Sequence, residues 1–160
     1  MLATNCLNWE GVKRSLSAQV ILIVVASLAL SYALTATGAT DFLAQSFLVL
    51  TDGKSAAFVL SALMLLMGIL TNVVSNNAAA LIGTPIAIKI AQTLGVPPEG
   101  FILAVLFGAN LSFATPMAYQ TNLLVMNAGG YSFSDFVKVG LPLALLIWAT
   151  LSFVLPIFYL

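Results

Sequence analysis

Two clusters of neutral polar residues interrupt a chain that is otherwise almost free of charge. The first is Thr71-Asn72, followed by Ser75-Asn76-Asn77; the second runs from Thr115-Pro116 to Asn122. Thr71, Ser75, Asn76, Asn77, Thr115 and Asn122 offer neutral oxygens, the ligand type that suits a hard cation such as sodium. Neither cluster holds a carboxylate, so a Ca²⁺ site is disfavoured and an anion meets no like charge. A lone Ser, Thr or Asn in a membrane helix usually bonds a neighbouring helix. Three consecutive polar residues beside a proline-broken partner segment read instead as a site, because unsatisfied polar groups in lipid are costly.

Composition sets the solvent and removes other chemistries. Of 160 residues, 61% are hydrophobic and 6% are charged, against about 25% charged in a soluble domain. Charges are scarce where charging the bilayer centre is expensive. There is no His, so Ser-His catalysis, His-zinc sites and His proton relays are absent from this chain. The single Cys, Cys6, allows no internal disulfide. A net charge of zero gives no reason to expect nucleic acid.

The elements that must position the polar clusters follow from the uncharged runs. Trp9, Lys13 and Arg14 read as an interfacial anchor rather than a signal peptide. The run Ser15 to Thr40 suffices for one spanning helix. Asp41 to Leu50 places Phe42, Leu43, Phe47 and Leu48 on one face and suits an interfacial helix. Ser55 to Ile88 is too long for one span and too short for two. Its polar middle predicts a re-entrant hairpin, and irregular backbone at membrane depth must be buried in protein or line a wet cavity. Phe101 to Ser134 is again uncharged and again broken, at Pro116. Phe136 to Leu160 gives a last span, with Pro142 expected in its first turns. Lys89, at the hairpin exit, is expected to be a snorkelling surface lysine. Two successive interrupted segments are the pattern of a transporter binding site. Unwound carbonyls there coordinate sodium, and half-helix N-termini meet an anion.

Val73-Val74-Ser75-Asn76-Asn77-Ala78-Ala79-Ala80, followed by Gly83-Thr84-Pro85, resembles the hairpin-tip motif of the divalent anion:sodium symporter family. Phe113 to Asn122 is similar to that family's broken-helix motif, and Gly129-Gly130-Tyr131, Asp135-Phe136 and Val139-Gly140-Leu141-Pro142 match its tail. The branch it looks most like is the sodium/sulfate symporter-like permeases with TrkA-C regulatory domains. The resemblance covers almost the whole chain.

The resemblance implies an all-α integral membrane fold, an ion-transporter-type half-repeat. It assigns a spanning helix to 16–38, an interfacial helix to 41–50 and a re-entrant hairpin to 55–94, with arms 55–74 and 78–94. A broken helix follows at 100–127 and a final spanning helix at 136–158. It implies substrate contacts from Ser75, Asn76 and Asn77 at the tip and from Thr115 and Pro116 in the unwound segment. It implies a sodium site from Thr71, Asn76 and the carbonyls of Val74 and Ala114. Asn77 departs from the usual Thr, and Tyr119-Gln120-Thr121 favours the sulfate-like branch. The implied topology places Lys13, Arg14 and Lys138 on the cytoplasmic side, and Lys54 and Lys89 outside.

The implied function is secondary active transport of a sulfate or di/tricarboxylate anion, sodium-coupled, in a multi-pass protein of the cell membrane. It is not an enzyme. One hairpin and one broken helix make half of the family's two inverted repeats. The partners implied are therefore the N-terminal repeat, or a second copy in a homodimer, together with a small anion and membrane lipids, and no nucleic acid. The alternative is a non-transporting membrane subunit that assembles with or regulates a complete permease.

Overall fold

The computed structural model describes residues 18–160. The expected anchor at Trp9, Lys13 and Arg14, Cys6, and the first two residues of the expected 16–38 helix lie outside the described residues. Among the described residues every regular element is helical. In chain order they are α1 (Ala18–Ala36), α2 (Ala39–Leu50), α3 (Ala56–Thr71), α4 (Asn76–Leu94) and α5 (Pro98–Ala109). A 3₁₀ turn (Pro116–Ala118), α6 (Gln120–Gly129) and α7 (Phe133–Tyr159) complete the chain.

A corner separates α1 from α2. Gly38 sits at φ 73, in the left-handed region that glycine enters without a Cβ penalty, and Leu28–Ala36 is bent by 75° from Ala39–Leu50. α2 turns Thr40, Ala44, Phe47 and Leu48 inward, a helical stripe. Phe42 and Leu43, expected on the same face as Phe47 and Leu48, are exposed, Phe42 by 71%. The small side chains of Thr40 and Ala44 decide the face, because they let α2 lie close against α4.

Serines start both arms of the central pair. The Ser55 hydroxyl accepts the Phe58 N–H at 3.4 Å, and that of Ser75 accepts the Ala78 N–H at 3.3 Å. Between the arms, 72–75 form a short irregular link. α3 is apolar all round and has 16 residues, roughly 24 Å at helical rise, against a hydrocarbon core of about 30 Å.

α5 packs against both arms. The core between them holds Leu60, Leu63 and Met64 from α3, Ile90 from α4, and Phe101 and Val105 from α5. Lipid tails give helices no hydrophobic reason to associate, so close fit must do it. The small residues Ala87, Ala91 and Ala104 are buried at these surfaces. A Cβ at Gly108 would lie 2.5 Å from the Met64 carbonyl, so the α3 and α5 backbones nearly touch.

α7 starts at a capping box. The Ser132 N–H and hydroxyl both donate to the Asp135 carboxylate, at 2.9 and 2.6 Å. The helix therefore begins three residues before 136, and Pro142 falls at its tenth position rather than in its first turns. There the missing N–H leaves the Lys138 carbonyl without its helical donor. Among the described residues α7 alone is, by itself, long and apolar enough to cross a bilayer. It is tied to α3 by the Ser61–Ser152 hydroxyl pair at 2.6 Å and by the Trp148 indole N–H donating to the Ser61 carbonyl at 3.0 Å.

Candidate functional site

The two polar clusters meet at Asn72, which caps the C-terminal end of α3. Its side-chain Nδ2 donates to the carbonyls of Gly68 and Leu111, at 2.8 and 2.9 Å. Its Oδ1 accepts the N–H groups of Ala114 and Thr115, both at 3.1 Å. Its backbone carbonyl accepts the Thr115 hydroxyl at 2.9 Å. A side-chain amide has two donor hydrogens and an oxygen with two lone pairs, so every one is used. The network fixes the amide's orientation, because a flip would set NH₂ against two N–H donors.

Neighbouring side chains hold the rest of the break. Thr71 is fully buried, and its hydroxyl donates to the Ala109 carbonyl at 2.7 Å, one of the orphan carbonyls at the end of α5. Asn122 donates through Nδ2 to the carbonyls of Ser112 and Thr115, at 2.8 and 3.3 Å. Asn110 donates through Nδ2 to Leu106, at 2.8 Å. Pro116 is buried and opens the 3₁₀ turn.

At the tip, Ser75 and Asn77 are exposed and Asn76 is half-buried. The Asn76 Oδ1 accepts the Asn77 N–H at 3.0 Å. Asn76 lines an open cleft of about 330 Å³ with Asn110, Ser112, Phe113, Tyr119 and Asn122. The hydrogen bonds of Asn110 and Asn122 run from their NH₂ groups, so their side-chain oxygens keep acceptor capacity. Ala114 and Thr115 line a second cavity, of about 270 Å³ and apolar, with Asn72, Ile69, Leu141 and Trp148.

The residues that sequence and resemblance grouped into one site are therefore divided. Asn76 and Asn122 share the polar cleft. Ala114 and Thr115 are held by Asn72 beside the apolar cavity. Thr71 is sealed between helices, Val74 and Ser75 stand at the exposed link, and Asn77 is exposed in the first turn of α4. Sequence reasoning passed over the roles of Asn72, Asn110, Ser112 and Tyr119. An asparagine directly after the last apolar turn of a helix was the available signal at Asn72 and at Asn110. Ser112 and Tyr119 carried no such mark.

The fit to a cation is chemical. Among the described residues no group of three His, Cys, Asp or Glu side chains could hold a metal. The cleft presents amide and hydroxyl oxygens, which match a singly charged hard ion better than Ca²⁺.

An apolar, all-helical chain with irregular backbone gathered around buried polar groups belongs to the class of membrane transport proteins. Comparison with known proteins gives the family. Residues 1–160 match the family described as "Citrate transporter", and the chain belongs to it. It is 30% identical over 155 residues to the uncharacterized transporter YfbS of Escherichia coli, covering 97% of this chain and 25% of that protein. It is 35% identical over 148 residues to the uncharacterized transporter sll0640 of Synechocystis, covering 92% and 24%. It is 31% identical over 156 residues to sodium/sulfate cotransporter 1 of Chlamydomonas reinhardtii, covering 97% and 18%. The chain thus spans a quarter or less of the length of these relatives. Its family is one of transporters, not of enzymes.

Proposed function

We propose that this chain supplies one half of the substrate and cation site of a sodium-coupled anion transporter of the sulfate or di/tricarboxylate class. The observation that carries the reading is the polar cleft where the α3–α4 link meets the broken segment. It has oxygens with spare acceptor capacity from Asn76, Asn110 and Asn122 and no carboxylate in its lining. The sodium/sulfate cotransporters among the similar proteins support the ion and the anion class.

In this reading Ser75, Asn76 and Asn77 meet the anion at the positive end of α4. Thr115, whose carbonyl holds Asn122, and Pro116 support the opposite wall from behind. Asn76 faces sodium from the cleft, and the carbonyls of Val74 and Ala114, which stand outside the cleft lining, complete the set, with Thr71 anchoring the wall behind them. No lysine or arginine lines the cleft, so bound sodium supplies the positive charge that a divalent anion needs. α7 spans the bilayer, as does the helix over 16–38 that the resemblance implies, α2 lies at the surface, and α3–α4 enter and leave on one side. The remaining ligands come from an N-terminal repeat or from a second copy.

The test is uptake of radiolabelled sulfate by the full-length permease containing this segment, reconstituted in vesicles with a sodium or a choline gradient. Unlabelled citrate and succinate serve as competitors. Saturable uptake that requires sodium supports the reading. Uptake indifferent to sodium, or no uptake of any of these anions, overturns it.

A further inference from the structure

We infer that Asn72 is a positioning residue: it locks the α3–α4 link to the broken segment and sets the direction of the Ala114 carbonyl. The inference rests on the site reading above.

The argument begins with peptide geometry. In a trans peptide the C=O and N–H point in opposite directions, and no cis bond occurs among the described residues. The N–H groups of Ala114 and Thr115 both converge on the Asn72 Oδ1. The carbonyls that share those two peptide planes, of Phe113 and Ala114, must therefore point away from Asn72. The Phe113 carbonyl is covered by α7, so close to Gly140 that a Cβ there would collide with it. The Ala114 carbonyl accepts no hydrogen bond among the described residues. Of the two carbonyls, it is the one left for a ligand.

A second consequence concerns the anion. Two successive N–H groups aimed at one point form the kind of concavity that binds anions. Here the chain's own neutral amide oxygen fills it. These two N–H groups are therefore closed to a transported anion, whose donors from this half come from the tip. The same amide holds the Gly68 and Leu111 carbonyls. A shift of the link relative to the break would cost the three amide bonds to Leu111, Ala114 and Thr115 together.

Asn72→Ala and Asn72→Asp in the full-length permease test this. The readouts are half-saturating sodium, KM for sulfate at saturating sodium, and thermal unfolding in detergent. With Asn72→Ala, half-saturating sodium should rise about tenfold, the effect of one mis-set contact, while the sulfate KM stays nearly constant. Asn72→Asp keeps an oxygen for the two N–H groups but turns its other oxygen on two carbonyls. Only the protonated acid can donate to one of them. Its half-saturating sodium, relative to wild type, should therefore recover as pH falls and the acid takes up its proton. Asn72→Ala should show no such recovery.

Sodium-dependent wild-type uptake with both variants unchanged overturns the positioning role and leaves the transport reading intact. A parallel rise of both constants in Asn72→Ala, in step with lost thermal stability, also overturns it, since that is a purely structural role. If Asn72→Ala does not fold, absence of the pH recovery in Asn72→Asp overturns it. Wild-type uptake indifferent to sodium overturns both readings at once.

Discussion

Asn76 stands at the first position of α4 with its side chain against the polar cleft. In the proposed site it serves both ions, since an amide offers an oxygen acceptor and an NH₂ donor. Asn76→Asp keeps the shape and adds a negative charge. Two unit charges 4 Å apart at an effective dielectric of 20 interact by roughly 4 kcal/mol. The variant in a full-length permease should fold and keep sodium-dependent thermal protection while losing sulfate uptake. Uptake near the wild-type rate, or uptake lost only through misfolding, would remove Asn76 from the site. Thr40 offers a separate test, of stability. It is buried, and its hydroxyl has no partner among the described residues. Thr40→Val fills the same space without the orphan hydroxyl and should raise stability by about 1 kcal/mol, read from thermal unfolding. At this scale the sequence exposed residue types but not pairings. Asn76 and Asn122 were legible because polar residues clustered in an apolar chain stand out. The role of Asn72 was not, because its partners Leu111, Ala114 and Thr115 lie about forty positions away.

Elements were more legible than contacts, because hydrophobic runs and helix breakers act locally. The break at Pro116 and the link at 72–75 could be read from Pro, Ser and Asn placement alone. The inward face of α2 could not, because Phe42 is as apolar as Phe47 and only the approach of α4 tells them apart. Pro142 was misplaced for a related reason: the capping box at Ser132 and Asp135 moves the helix start upstream. Lys89 is exposed, as a snorkelling surface lysine would be, and its ammonium pairs with Asp41, in the first turn of α2, at 2.6 Å. Both side chains remain well exposed, at 40% and 48%, and such pairs contribute about 0–1 kcal/mol. Lys89→Met should therefore shift stability by less than about 1 kcal/mol and leave sodium-driven uptake intact. A large loss of uptake with unchanged stability would instead give Lys89 a role in transport.

The whole molecule raises the question of which way α3 and α4 lie in the bilayer. Lys54 precedes α3, and Lys89 lies in the second half of α4. The two arms pack on each other and both pack on α5, with the link at 72–75 at the far end from both lysines. α3 is roughly 24 Å long, too short to cross a core of about 30 Å without tilt or thinning. If the pair is re-entrant, Lys54 and Lys89 share one side of the membrane. If the two arms together make one broken crossing, the lysines lie on opposite sides. The measurement uses single cysteines at Lys54 and Lys89, placed in a full-length permease from which Cys6 and any other native cysteine have been replaced. An impermeant thiol reagent is applied from each side in turn. Both positions should react from the same side, and Lys138→Cys, at the head of α7, should react from the other. Labelling of Lys54→Cys and Lys89→Cys from opposite faces would end the hairpin reading. The link at 72–75 would then be the break of a single crossing rather than the tip of a re-entrant pair. The clamp at Asn72 would then hold that break against the one at Pro116, and the inverted-hairpin half-site would be lost.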